Sequence, residues 1–286
     1  MTHWIEEAGL VLLGVFAGGY GTMVGLGGGF LLVPAFLFLG FDSRVAAGTS
    51  MAVVLANAIS GSISYLRQKR VDIRTAVIFA VAGIPGAWLG AFVDQWIPQR
   101  LFSGLFAALL AWVGIRLLTT GKQSHEEIVE EAHRDDEPRP GLLHETPRGI
   151  VQRDFVDAQG IRHIYRYNLA AGFAVSLGAG FIASAFGIGG GLVQVPAMVY
   201  LFGFPAHIAT ATSTLIIAST SLFGTISHAM YGDVRWGEAF LVAAGAIVGA
   251  QFGARLAKRI KAAPLMRLLA IGVLVTAAKL LWNALT

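Results

Sequence analysis

The 286 residues are 55% hydrophobic and 13% charged, with a mean hydropathy of +0.66, a balance that no soluble domain needs in order to fill one core. The net charge of +4 and pI near 9.6 invite a nucleic-acid partner, but the basic residues sit almost wholly in connecting segments, where they read as topology determinants instead. There is no cysteine, which excludes a disulfide framework and a thiolate metal site.

Taken in chain order, the first nine residues, MTHWIEEAG, are acidic rather than basic ahead of an apolar run, so a retained first span is expected rather than a cleaved signal. A membrane span needs about 20 mainly apolar residues. Such runs recur at 10–39, 45–66, 75–93, 101–119, 169–202, 208–230, 237–255 and 265–285. The segment 121–168 interrupts them: its stretch KQSHEEIVEEAHRDDEPRPG is charged and too poor in large apolar residues to pack a core. Strand-like residues flank an Asp157-Ala-Gln-Gly160 turn, which predicts a small hairpin over 150–167. The expected fold class is therefore an all-α polytopic membrane protein. Its expected organisation is a first membrane repeat at 1–120, a cytoplasmic linker at 121–168 and a second membrane repeat at 169–286.

The repeat rests on alignment of the two halves. Gly25-Leu-Gly-Gly-Gly29-Phe-Leu-Leu-Val-Pro34-Ala lies over Gly187-Ile-Gly-Gly-Gly191-Leu-Val-Gln-Val-Pro196-Ala without a gap. With one inserted residue the register continues, Gly40-Phe41 meeting Gly203-Phe204, Thr49-Ser50 meeting Thr212-Ser213, and Gly86 and Gly90 meeting Gly249 and Gly253. Duplicated units mark many secondary transporters, whose substrate sits where the copies face each other near the midplane.

Two topologies compete. If the runs 10–39 and 169–202 each cross once, eight spans result and the positive charges divide fourteen against seven. If each folds back at its glycines into two short arms of about 12–15 residues, the halves are inverted and the charges divide seventeen against four, with both termini outside. The second arrangement gives the sharper contrast and is preferred; the eight-span parallel arrangement stays open.

The chemistry centres on the glycines. Gly25, Gly27, Gly28, Gly29 and their partners Gly187, Gly189, Gly190, Gly191 break a helix at membrane depth, where freed backbone groups must face protein or water. A half-helix beginning near Phe30 or Leu192 would aim free N–H groups and a positive dipole end at an anion. Close helix packing is the plainer reading, and it suffices for Gly86, Gly90, Gly249 and Gly253. Thr49, Ser50, Thr212 and Ser213 could donate to anion oxygens without a fixed charge, or simply bond neighbouring backbone. Asn57 and Gln194 carry amides that are costly near mid-bilayer without a partner. Ionisable groups are nearly absent from the apolar runs, so helix ends would have to hold the substrate. His207 and His228 lie near opposite ends of one span; His228 is the candidate for a coupling proton, against an interfacial anchor as the plain alternative. A dinucleotide fingerprint fails at Gly25–Phe30, and neither a P-loop nor a zinc-protease motif is found.

The glycine clusters, their downstream prolines, the Thr-Ser pairs and the duplicated layout together resemble the TauE/SafE family, the sulfite exporter or toluene sulfonate uptake permeases. The resemblance spans nearly the whole chain outside 1–8 and 121–148. It implies a plasma-membrane permease for sulfite, an organosulfonate such as sulfoacetate, or a related carboxylate, coupled to H+ or Na+. Its glycine motifs fall on Gly25, Gly27–Gly29, Gly187 and Gly189–Gly191, and its hydroxyl pairs on Thr49/Ser50 and Thr212/Ser213. Gln194 stands opposite Leu32, so the two halves need not bind equally. The expected function is a secondary anion exporter working by alternating access; an anion channel and an uptake permease are the alternatives. No enzyme activity, cofactor or nucleic-acid partner is expected, the lipid bilayer is, and a homodimer is left open.

Overall fold

Every apolar run before the last folds as helix, and each run that holds a glycine cluster folds as two. The computed structural model describes residues 2–120, 149–156, 162–257 and 273–281. Helix α1 (Thr2–Val24) gives way at the first cluster to the ten-residue α2 (Gly29–Phe38), followed by α3 (Ser43–Arg67), α4 (Ile73–Asp94) and α5 (Gln99–Thr120). Strands β1 (Ile150–Val156) and β2 (Arg162–Asn168) precede α6 (Leu169–Phe186), the ten-residue α7 (Gly191–Tyr200), α8 (Ala206–Met230), α9 (Trp236–Leu256) and α10 at 273–281. The charged stretch 121–148, the turn at 157–161 and much of the last apolar run lie outside the described residues.

Helices α1, α3, α4, α6, α8 and α9 are long and apolar enough to cross a membrane. At 1.5 Å per residue α2 and α7 reach only about 15 Å, half of a hydrocarbon core. The expectation of two comparable short arms around each glycine cluster is thereby corrected. The first arm is a helix of 23 or 18 residues and only the second is short, since α1 starts at Thr2, ahead of its apolar run, and both glycine clusters fall past the middle of runs 10–39 and 169–202.

Paired contacts give the helix directions. Gly14 meets Val242 and Gly19 meets Gly249, so α1 and α9 run parallel; Gly83 meets Ser176 and Gly90 meets Phe181, so α4 and α6 do too. Ser60 Oγ donates to Ile247 O (2.9 Å) and Gln68 Nε2 to Ala254 O (3.4 Å), which sets α3 parallel to α9. Gly48 lies against His228 and Gly61 against Thr214, so α3 and α8 oppose each other. Gly83 also meets Thr220, while Asp72, just before α4, bonds Thr212. Thus α1, α3 and α9 point one way and α4, α6 and α8 the other. An antiparallel α3–α8 centre is flanked by the parallel pairs α1–α9 and α4–α6.

Those flanking pairs approach backbone to backbone. A Cβ on Gly86 would lie 2.0 Å from Leu177 O, and one on Gly249 2.2 Å from Val15 O. Small residues therefore replace the hydrophobic drive that lipid cannot supply. Trp4, Trp88, Trp96, Trp112 and Trp236 project outward from the helices.

The hairpin pairs antiparallel, with Ile150 opposite Asn168 and Val156 opposite Arg162. It is docked on the bundle, Tyr165 and Tyr167 being buried against Phe79, Phe202 and Phe204. Asn168 ends the strand and caps α6, its Oδ1 accepting from Ala170 N (2.9 Å) and Ala171 N (3.3 Å). The loops 68–72 and 201–205 lie at this hairpin end; the loops 39–42, 95–98 and 231–235 lie at the far end.

Candidate functional site

The glycine clusters meet each other. Gly25, Gly27 and Gly28 have φ of 78, 83 and 85°, and Gly187, Gly189 and Gly190 have 68, 85 and 74°. A run of left-handed residues is affordable only to glycine, and it ends α1 and α6 inside the protein. A Cβ on Gly29 would lie 2.3 Å from Gly187 O, one on Gly191 2.2 Å from Gly25 O, and one on Gly27 3.7 Å from Gly189 Cα. The two segments therefore cross antiparallel in direct main-chain contact, between Val54 of α3 and Ile217 of α8.

Each crossing segment feeds the start of a half-length helix. Leu31 N and Leu32 N donate to Gly28 O (3.0 and 3.3 Å), and Val193 N and Gln194 N to Gly190 O (3.2 and 3.1 Å). The amides of Gly29, Phe30, Gly191 and Leu192 stand ahead of these first helical bonds, at the positive ends of α2 and α7.

The polar residues singled out in the sequence surround this crossing, but they grip main chain. Ser50 Oγ donates to Gly187 O (2.7 Å) and Ser213 Oγ to Gly25 O (3.0 Å), a matched pair. Thr49 Oγ1 accepts from Arg235 N and Thr212 Oγ1 from Asp72 N, both at 3.1 Å. Asn57 Nδ2 donates to Gly27 O (3.0 Å) while its Oδ1 accepts from Thr22 Oγ1 (3.1 Å). These side chains position the glycine segments in this conformation. Gln194 breaks the symmetry: its Nε2 donates to Ser176 Oγ (3.2 Å), whereas Leu32 in the other half is simply buried. Gln194 and Ser176 line a cleft with Gly189, Gly190 and Thr220 that has room for about one water molecule. The centre is closed in this conformation.

Two polar clusters lie at the ends of the bundle, and of the residues bonded in them the sequence reading had singled out His228 alone. At the hairpin end, buried Asp72 caps α4, its Oδ1 accepting from Thr75 N (3.2 Å) and its Oδ2 from Thr75 Oγ1 (2.6 Å). Arg153 of β1 forks onto it, Nε to Oδ2 at 3.0 Å and Nη2 to Oδ1 at 2.7 Å, and Tyr165 OH donates to Oδ2 at 2.6 Å. Burial alone would push the Asp72 carboxyl up, but the bonds from Arg153, Thr75 and Tyr165 outweigh it and hold the pKa below the ordinary value. Arg153 is correspondingly raised, chiefly by its hydrogen bond to Asp72.

At the far end, fully buried His228 sets Nε2 2.9 Å from Ser184 O and Nδ1 3.5 Å from Asp233 Oδ2. Gln95 Nε2 also donates to Asp233 Oδ2. Asp94, at the last turn of α4, is buried with neither carboxyl oxygen hydrogen-bonded. His207 sits half-buried at the hairpin end of α8. The repeat alignment held one usable signal, since His228 occupies the place of Tyr65, whose OH donates to Thr22 O at 2.8 Å. Nothing in the sequence brings Arg153 to Asp72, 81 residues away.

The profile of the family described as "Sulfite exporter TauE/SafE" matches residues 10–280. Among curated proteins, the chain is 31% identical to the probable membrane transporter protein YunE of Bacillus subtilis, over 96% of this chain and 97% of that one. It is 28% identical to a probable membrane transporter protein of Xylella fastidiosa, over 92% and 90%, and 25% identical to YfcA of Escherichia coli, over 96% and 89%. No solved structure matches.

Proposed function

The chain belongs to the sulfite exporter TauE/SafE family of membrane transporters, and we propose that it is a secondary exporter of a small oxyanion: sulfite, an organosulfonate such as sulfoacetate, or a related carboxylate. The observation that carries this reading is the crossing of the two glycine segments, with the amide-bearing starts of α2 and α7 on either side. Main-chain amides and helix dipoles at low dielectric suit an oxyanion, and no fixed cation is needed that would hold it too long for turnover.

On this reading residues 1–120 and 169–286 are inverted repeats. Support comes from α1 and α3 opposing their counterparts α6 and α8, and from the matched Ser50–Gly187 and Ser213–Gly25 bonds. The hairpin end is cytoplasmic and the membrane is the plasma membrane: Arg67, Lys69, Arg70, Arg74 and Arg255 cluster towards that end, against Arg44, Arg100 and Arg235 at the other. Alternating access then consists of releasing one serine clamp while the other holds. Each is a hydrogen bond of about 1 kcal/mol, weak enough to break and reform in every cycle. The substrate enters beside Gln194, Ser176 and Thr220, where a cleft already separates α6, α7 and α8. Coupling to H+ or Na+ drives the cycle, with His228 as the proton candidate. The sealed centre weighs against the channel alternative.

Thermal stability of the purified protein against a panel of anions tests the substrate class. Saturable stabilisation by sulfite or sulfoacetate, and not by chloride at equal ionic strength, is expected; a panel without any selective shift would contradict the reading. Cysteine at exposed Asp42 should be labelled only from outside and cysteine at exposed Lys69 only from inside. Reversed labelling, position 42 from inside and position 69 from outside, would contradict the proposed orientation.

A further inference from the structure

The far-end cluster is built to take up a proton. Ser184 O can only accept, so the His228 nitrogen 2.9 Å from it, Nε2, carries the ring hydrogen. Nδ1 is then a bare lone pair in the neutral ring, and 3.5 Å away it faces another acceptor, the Asp233 carboxylate. The two atoms thus stand as a pair that a single proton would bridge. Next to them Asp94 has both oxygens buried without a hydrogen bond, the arrangement of a carboxyl that is costliest to leave charged.

We propose that Asp94, Asp233 and His228 form the proton-binding site that couples transport, a deepening of the exporter reading above and dependent on it for its coupling role. The charged surroundings are few. Arg44 at the start of α3 and Asp233 in the α8–α9 loop act on Asp94 along with His228, while α6 contributes only the Ser184 carbonyl. Arg235 is turned away, lying over the Phe41 ring at 4.3 Å and reaching Glu238 at 3.4 Å. The proton comes from water at the far end onto Nδ1 or a carboxylate oxygen, and no other bond is made or broken.

The site is placed where it can act. His228 Nε2 holds the carbonyl three residues before Gly187, and the Asp233 carbonyl packs on Gly48, where a Cβ would lie 2.6 Å from it, directly before Thr49 and Ser50. A charge gained here therefore bears on both sides of the Ser50–Gly187 clamp. In the other half Tyr65 makes the corresponding bond to Thr22 O with a hydroxyl that stays neutral through the physiological range. The bond to the carbonyl three residues ahead of the glycine segment is made in both halves, and a second ring nitrogen facing a carboxylate belongs to one.

Infrared pH titration of the detergent-purified protein tests the site without any substrate. A protonated-carboxyl stretch should titrate in the wild type, vanish in Asp94→Asn, and shift its midpoint in His228→Tyr, which keeps a donor towards Ser184 O and removes the nitrogen facing Asp233. A band unchanged in Asp94→Asn overturns the site. In proteoliposomes, the ratio of pH-gradient-driven sulfite accumulation to gradient-free sulfite exchange should collapse in both variants. Ratios equal to wild type overturn the coupling role. Wild-type protein that exchanges neither sulfite, nor sulfoacetate, nor a related carboxylate, with the band present, removes the transport reading and the coupling with it, while the proton site stands.

Discussion

The two ends of the bundle each bury a carboxylate beside a glycine segment, and they treat it in opposite ways. Asp72 receives bonds from Arg153, Tyr165 and Thr75, and its own amide donates to Thr212, whose neighbour Ser213 clamps Gly25. Asp94 receives none, near a histidine whose Nδ1 stands 3.5 Å from the carboxyl of a second aspartate. The bundle thus carries a fully bonded carboxylate at one end and a buried carboxyl without a hydrogen bond at the other. Arg153 and Tyr165 of the hairpin supply the bonds at one end, and the other end has no such partners for Asp94 among the described residues.

The largest expected effect separates the two carboxylates directly. Asp72→Ala would leave the Arg153 guanidinium, Tyr165 OH and Thr75 unpaired, and should cost about 3 kcal/mol in thermal unfolding. Asp94→Asn replaces a buried carboxyl whose oxygens receive no hydrogen bond, and should cost no more than about 0.5 kcal/mol or stabilise. Equal losses would erase the contrast. Next, Gly29→Ala and Gly191→Ala should each cost about 2 kcal/mol, since their Cβ atoms would fall 2.3 and 2.2 Å from carbonyl oxygens. Unequal losses would show that the crossing itself, and not only its ends, is asymmetric.

Acid should act on the hairpin end by a calculable sign. The folded Asp72 pKa is depressed, so its contribution to stability is complete above the ordinary carboxylate range and is lost as pH falls through the folded value. Proteolysis of the hairpin should therefore accelerate only in acid, and Asp72→Asn should abolish that dependence. The clamps should give smaller losses than the glycine substitutions: Ser50→Ala and Ser213→Ala should each cost about 1 kcal/mol in thermal unfolding. A markedly larger loss at one of them would identify the end that is held more firmly.

Much of the architecture was legible because it depends on local rules. Apolar runs of span length became helices, the glycine runs broke them, and the strand-like residues around 157–160 formed a hairpin. Glycine spacing could not reveal how far the chain continues as helix before the break, which is why α1 and α6 are longer than anticipated. The site was less legible. Sequence places Thr49, Ser50, Asn57, Thr212 and Ser213 beside the glycines, but a hydroxyl that would donate to an anion and one that holds a carbonyl look identical until the crossing segments are seen. Asp72 and Arg153 meet only because the hairpin folds back over the bundle, and Asp94 gains its meaning from the α8–α9 loop.

The central claim is that main-chain amides at the glycine crossing hold the anion. A cryo-EM structure of the protein with sulfite tests it most directly. The account predicts anion density within hydrogen-bonding distance of the Gly191 and Leu192 amides, flanked by Gln194. Sulfite density held instead by Arg44, Arg100 or Arg235, with the crossing still closed, would contradict it.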